Sequence, residues 1–168
     1  MLSTTMEAAL NEQLGGELYS SHLYLAMSAY CESVNLPGAA HWFGLQADEE
    51  RGHAMRFFRF IVDRGGRVSL GPIAGPPTAF SSLLDAFQQA LQAERNVTAN
   101  IDRLYAMAAA ESDYASQTFL QWFVQEQVEE EKQALGVVEL LSATADHPPA
   151  LFMIDRELGG RKPEEEAS

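Results

Sequence analysis

The amino-acid sequence predicts an all-α fold: a four-helix bundle with one long crossover loop and a short fifth helix near the C-terminus. Apolar residues recur at steps of three and four through four long stretches, the signature of helices burying one face. The Pro-bearing segments, "NLPG", "GGRVSLGPIAGPPTAF" and "HPP", fall between those stretches rather than inside them. At 168 residues the chain makes one domain with enough length to bury a real core.

The first helix is expected from Thr5 to Val34, opened by Thr4 and Glu7 at capping-box spacing and closed by "NLPG". The second is expected from Pro37 to Arg64, with Pro at its start and Gly65 after its end, both favoured places. The third covers Ser82 to Ala110 and the fourth Tyr114 to Ala143, separated only by "ESD". Short connections at 35–38 and 111–113 join antiparallel neighbours. The loop 65–80 is too rich in Gly and Pro to be a helix. A helix of this length is roughly 40 Å long and an extended loop of this size reaches roughly 50 Å, so the loop can run the length of the bundle. Two antiparallel hairpins joined by one crossover follow. "ALFMIDREL" is too short to stand as an isolated helix and is apolar enough to pack on the bundle or on another chain. The bundle and fifth helix are thus assigned to residues 1–158, and "GGRKPEEEAS", 159–168, to a flexible, solvated tail.

Composition excludes several classes. The net charge of −13 repels phosphate backbones and argues against a nucleic-acid partner. No apolar run approaches the ~20 residues that span a membrane, so no membrane partner is expected. The start lacks the basic end and long apolar centre of a secretory signal, and Cys31 is a lone cysteine, read as a small core thiol. These features point to a cytoplasmic protein.

The informative acids are those on apolar faces. Leu10, Leu14, Leu18, Leu25 and Ala29 outline a core face on the first helix, with Glu17 beside it and Tyr24 seven residues on. Ala47, Ala54, Phe57 and Ile61 surround Glu50 on the second, with His53 one turn away and Asp48 on the solvent side. Glu94 continues the stripe Phe87, Leu91, Thr98, Ile101 on the third. Phe119, Phe123, Val137 and Leu140 frame Glu126 and Glu130 on the fourth, with Gln127 adjacent. An ionised, unpaired carboxylate in such a place costs several kcal/mol even after relaxation. One such acid can sit at a stripe's edge and reach water. Four helices placing one near mid-length point instead to a shared cation. Arg51, Arg56, Arg59 and Arg95 flank the inner faces, so a metal fits better than an ion pair. Oxygen donors with an imidazole suit Fe, Mn or Zn. Glu50 and His53, at i and i+3, can converge on one ion.

In "LNEQLGGELYSSHLYLAM", "ADEERGHAM", "FLQWFVQEQVEEEK" and the short final helix, the chain resembles a bacterial non-haem ferritin, a member of the ferritin-like superfamily, over nearly its whole length. The resemblance implies an iron-storage ferritin of twenty-four identical subunits around a mineral-filled cavity. A dinuclear ferroxidase centre inside each bundle would oxidise Fe(II) to Fe(III) with dioxygen or peroxide. One iron would be held by Glu17, Glu50 and His53. The second would share Glu50 and take Glu94, with Glu130 approaching. Glu49, Glu126, Glu129 and Glu130 would line a third iron position. Gln127 would hydrogen-bond to a ligand, and Tyr24 would stand beside the centre as an electron donor or a core aromatic. Threefold channels would place Asp113, Gln117 and Gln121 near an entry route.

Two departures narrow the family. The last helix has no second E-x-x-H, and Arg51 follows Glu50 where bacterioferritins carry a haem-ligating methionine, so no haem is expected. One chain supplies every ligand, unlike the small starvation-type ferritins. The alternative is a dinuclear-metal peroxidase or oxygenase on the same bundle without mineral storage. The absent second E-x-x-H and the lack of any additional module favour storage.

Overall fold

A computed structural model describes residues 1–144 and 147–163 of the chain, apart from the side chain of Pro148. It contains α1 (Thr4–Ser33), α2 (Pro37–Asp63), α3 (Leu83–Ala110), α4 (Tyr114–Ala143) and α5 (Pro148–Leu158). The four long elements match the predicted ones to within a residue at each end. Their caps explain the boundaries. Ser3 accepts from the Met6 amide, Ser82 from Asp85 and Asp113 from Ser116, each satisfying an amide that a helix start leaves open.

Thr4 is therefore not the cap of α1. Ser3 takes that place, and Glu7 turns away from a capping box to accept from the Arg67 amide at 3.2 Å. The short helix also begins two residues earlier than expected, because Pro148 and Pro149 fit its first turn. Positive φ at Asn35, Gly65 and Ser112 reverses the chain after α1, α2 and α3.

The crossover loop is tied to both ends of α1. Asn11 donates to the Arg67 carbonyl at 3.0 Å and accepts from the Ser69 amide at 2.7 Å, while Phe80 packs on Tyr30 with ring centroids 5.3 Å apart. Asn11 and Tyr30 are about 28 Å apart along a helix, so the loop travels most of the bundle. Consequently α2 and α3 run parallel to each other and antiparallel to α1 and α4.

Two apolar blocks fill the bundle. One gathers Met27, Cys31, Ala40, Phe43, Leu83, Phe87 and Leu141, where Phe43 and Phe87 lie 4.5 Å apart. The other gathers Met6, Leu10, Phe57, Ile61, Ile101, Leu120 and Phe123, with Phe57 and Phe123 at 4.4 Å. Each of the four helices passes from one block to the other. Between the blocks every helix offers polar side chains to the interior.

The inner face of α1 differs from the expected one. Leu25 is 52% exposed and Ala29 is exposed, whereas Met6, Leu10, Gln13, Glu17, Ser20, Tyr24, Met27 and Cys31 are buried. Successive steps of four rotate about 40° per step around a helix of 3.6 residues per turn. Alternating four and three keeps the buried set on one line. On α4, Leu140 is likewise exposed and Leu141 is buried.

α5 packs on the start of α2. Asp155 Oδ1 accepts from the Ala39 amide at 2.8 Å, and Gly38 lies directly against the Asp155 carbonyl. The ordered packing extends past Leu158: His41 Nε2 is 3.0 Å from the Arg161 carbonyl, and the Arg161 side chain is largely buried. The expectation of a solvated tail beginning at residue 159 thus gives way to a docked segment reaching Arg161. Residues 164–168 lie outside the described part. No helix among the described residues is long and apolar enough to cross a membrane.

Candidate metal centre

Glu17, Glu50, Glu94 and Glu130 are 1–2% exposed and His53 is 6% exposed, all in the polar layer between the two apolar blocks. Each comes from the buried line of its helix. Glu50 and His53 are one turn apart on α2, with the imidazole Nδ1 3.7 Å from Glu50 Oε2. The opposite nitrogen, Nε2, is 3.9 Å from Glu126 Oε1 on α4. Trp122 and Phe123 present their faces or edges to the ring at 5.4 and 5.8 Å and hold it in place.

Two trios of ligand atoms share this imidazole. Glu17, Glu50 and His53 form one, and His53, Glu126 and Glu130 the other; within each, the atoms lie within 4.8 Å of one another. The first trio tests metal fit directly. Glu17 Oε2 and Glu50 Oε2 are buried and no hydrogen-bond donor among the described residues reaches them. Facing carboxylate oxygens need a proton or a cation between them. The donor set, several oxygens and one imidazole, matches iron, manganese or zinc.

Glu94 is in neither trio. Its Oε1 accepts from the Tyr24 hydroxyl and its Oε2 from Gln127 Nε2 at 3.1 Å. Gln127 also reaches the Glu94 carbonyl at 3.2 Å and Thr98 at 3.3 Å, so it locks Glu94 from α4. Tyr24 is fully buried and stacks on Phe43 at 6.0 Å. Burial first, then the neighbouring Glu94 charge, pushes its hydroxyl well above the usual range. Glu49 lies at the edge of the layer, paired with Arg161 at 2.7 Å, and Glu129 is exposed on α4. Asp48 is exposed, as expected. Asp113 caps α4 and pairs with Arg64 at 3.0 Å.

Sequence reasoning missed two amides and a guanidinium. Gln13 donates to Glu17 at 2.9 Å, and Gln46 to Glu130 at 2.8 Å. Gln13 precedes Glu17 by four residues and Gln46 precedes Glu50 by four, so a polar side chain one turn before each inward acid was the available signal. For Arg161 no local signal existed.

Burial is the main force raising the pKa values of these carboxyls. Glu17 is raised further by the Glu50 charge, and Glu50 and Glu130 by Glu94; burial also raises Glu94. Glu130 reaches about 8. Each group binds its proton more tightly folded than unfolded, where glutamate titrates near about 4.3. Their stabilising contribution is complete below that value and is lost as pH rises through the folded values. The melting temperature of chelator-treated protein is expected to fall between about pH 5 and about pH 8.5, where calorimetry can follow it. Saturating Zn(II), which replaces the protons, should flatten or reverse that slope. A metal-free melting temperature that rises across the same interval would contradict this assignment.

A four-helix bundle that buries carboxylates and an imidazole between facing helices has the architecture of the ferritin-like carboxylate proteins. The family model for the ferritin-like domain matches residues 7–143, and the chain belongs to that family. The bacterial non-heme ferritin of Bacteroides fragilis is 42% identical over 161 residues, covering 96% of this chain and all of the relative. That of Staphylococcus aureus is 38% identical over 166 residues, covering 99% and 100%. Among solved structures, an open-pore ferritin from Archaeoglobus fulgidus aligns with a TM-score of 0.95 at 44% identity, covering 96% of this chain and all of that one. A form of the A. fulgidus ferritin engineered to be closed aligns with a TM-score of 0.96 at 43% identity, covering 98% and 100%. The resemblance read from the sequence and the four-helix fold with a short C-terminal helix both hold.

Proposed function

We propose that this chain is an iron-storage ferritin that oxidises Fe(II) inside its bundle and deposits the product as ferric mineral within a shell of identical subunits. The observation that carries this reading is the buried layer of Glu17, Glu50, Glu94 and Glu130 around the ligand trio Glu17, Glu50 and His53. Fe(II) is the substrate. Glu17, Glu50 and His53 hold one ion, and Glu50 and Glu94 hold a second, with Glu130 close by. Gln13, Gln46 and Gln127 keep the carboxylates aimed inward by donating to Glu17, Glu130 and Glu94.

Each iron gives up one electron. Two therefore reduce one dioxygen to hydrogen peroxide with uptake of two protons, or one peroxide to two waters. Where a third Fe(II) is bound, Tyr24, which donates a hydrogen bond to Glu94, would add a fourth electron, so that one dioxygen takes up four electrons and four protons and becomes two waters. Glu49, Glu126, Glu129 and Glu130 form a third, weaker position on the way out. In this reading the shell contains twenty-four identical subunits and the protein works in the cytoplasm. Two grooves lie at α5, one against α4 and one beside the α1–α2 turn.

The test is retained iron. Metal-free protein receives a large excess of Fe(II) in air and is then passed through a gel-filtration column. Hundreds of ferric ions per assembly, eluting with a large particle, are expected. Retention of only about two ions per chain, the capacity of one dinuclear centre, would remove storage and leave a redox enzyme.

A further inference from the structure

We propose that Arg161 is a built-in cation on the acidic edge of the centre, and that the segment after α5 thereby sets how readily Glu49 accepts a metal ion. The inference rests on the third iron position proposed above.

Several contacts bring Arg161 there. The Gly159 amide donates to the Asp155 carbonyl at 3.0 Å and the Arg161 amide to the Leu158 carbonyl at 3.2 Å, so the chain turns back at the end of α5. Asp155 itself is fixed to the start of α2 through the Ala39 amide. Arg161 then lies along one face of α2. Its carbonyl meets His41 at 3.0 Å, its guanidinium carbon sits 4.7 Å from the Trp42 ring centroid, and Nη2 donates to Glu49 Oε2 at 2.7 Å. His41 and Trp42 precede Glu49 by eight and seven residues, two helical turns along the same side of α2.

Both partners are largely buried, with side chains 13% and 15% exposed. A short charge-assisted bond in such a place is strong. Arginine keeps its charge at every relevant pH, so it competes with metal for Glu49 under all working conditions. Arg161 Nη1 is buried and has no hydrogen-bond acceptor among the described residues. The grip on Glu49 is therefore one-armed, firm enough to oppose a weakly held ion and open to displacement by a divalent one. Pairing Glu49 with a guanidinium thus lowers the affinity of the edge for a cation.

The test is anaerobic Fe(II) titration calorimetry on the assembled protein, comparing wild type, Arg161→Gln, Glu49→Gln and the double variant. About two tight ions per chain are expected in wild type and Arg161→Gln alike. The third, weaker ion is expected to bind about tenfold more tightly in Arg161→Gln, a change worth ~1.4 kcal/mol. In the Glu49→Gln background the Arg161 substitution should have no effect. A third ion bound equally well by wild type and Arg161→Gln overturns the inference while leaving the third position standing. No third ion in any variant removes the third position and the inference with it, and leaves the dinuclear reading intact. Arg161→Lys keeps the charge but not the planar contact with Trp42. It should give an intermediate affinity, and it tests the same point if the neutral variant fails to assemble; wild-type affinity in Arg161→Lys would then overturn the inference.

Discussion

Glu50→Gln is expected to abolish rapid iron oxidation and, in the same molecule, to raise the stability of the metal-free protein. The two effects have one cause. Glu50 is 1% exposed and faces Glu17, with His53 Nδ1 3.7 Å away. As a carboxylate it is the ligand assigned to both ions, so its loss disables the whole centre rather than one half. Changing a residue that only supports a ligand costs roughly 10- to 100-fold; removing a shared ligand should reduce the initial rate by more than about 100-fold. Without metal, however, the same carboxyl is a burden, because burial and the Glu94 charge oppose its ionisation. The neutral amide keeps the shape and removes the charge. Replacing a buried ion pair with uncharged groups is neutral or stabilises by about 1–4 kcal/mol, and a gain within that range is expected here. Stopped-flow oxidation and calorimetry of chelator-treated protein near pH 8 measure the two arms. A variant that loses activity and stability together would show that Glu50 is chiefly structural.

Gly38→Ala is expected to detach α5 from the bundle. A Cβ at position 38 would overlap the Asp155 carbonyl and lie 2.6 Å from its carbon and 3.0 Å from the Gly159 nitrogen. These are backbone atoms, which cannot rotate aside as a side chain does. α5 must therefore move, and the bond from the Ala39 amide to Asp155 and the seat of Arg161 move with it. Forcing extra volume into a packed contact costs about 1–3 kcal/mol, and for a chain of this size each kcal/mol lowers the melting temperature by roughly 2–4 °C. A fall of about 5–10 °C at fixed scan rate is expected. Gly136→Ala is the control: nothing lies within 4 Å of its added carbon, and alanine is favoured in a helix by about 1 kcal/mol. Equal melting temperatures for Gly38→Ala and wild type would mean that α5 is not held against Gly38.

The bundle was legible because punctuation and periodicity agree. Pro37, Gly65 and the 65–80 loop fall where the chain turns, and the crossover follows from their length. The inward acids were legible for a related reason: Glu50 and Glu94 interrupt apolar lines that continue on both sides of them. α1 was harder. It is apolar over much of its circumference, so Leu18 and Leu25 were as plausible as Met27 and Cys31, and only packing against α2 and α3 chooses between them. Glu7 was misread for lack of a partner, since the Arg67 amide arrives from a loop sixty residues later. Arg161 shows the limit most clearly. Between two glycines and a lysine it reads as solvated, and its burial depends on a contact with Glu49 across 112 residues that no local pattern records.

The parallel course of α2 and α3, imposed by the crossover, has a consequence for the field at mid-bundle. Each helix carries a macrodipole equal to roughly half a charge at either end. With α1 and α4 pointing one way and α2 and α3 the other, those dipoles oppose in equal number. The peptide backbone therefore gives the middle of the bundle no net axial field to draw or repel an ion. Attraction for a cation at that level comes from the side chains alone. It can be raised or lowered one carboxyl or one amide at a time, without touching the scaffold that holds them.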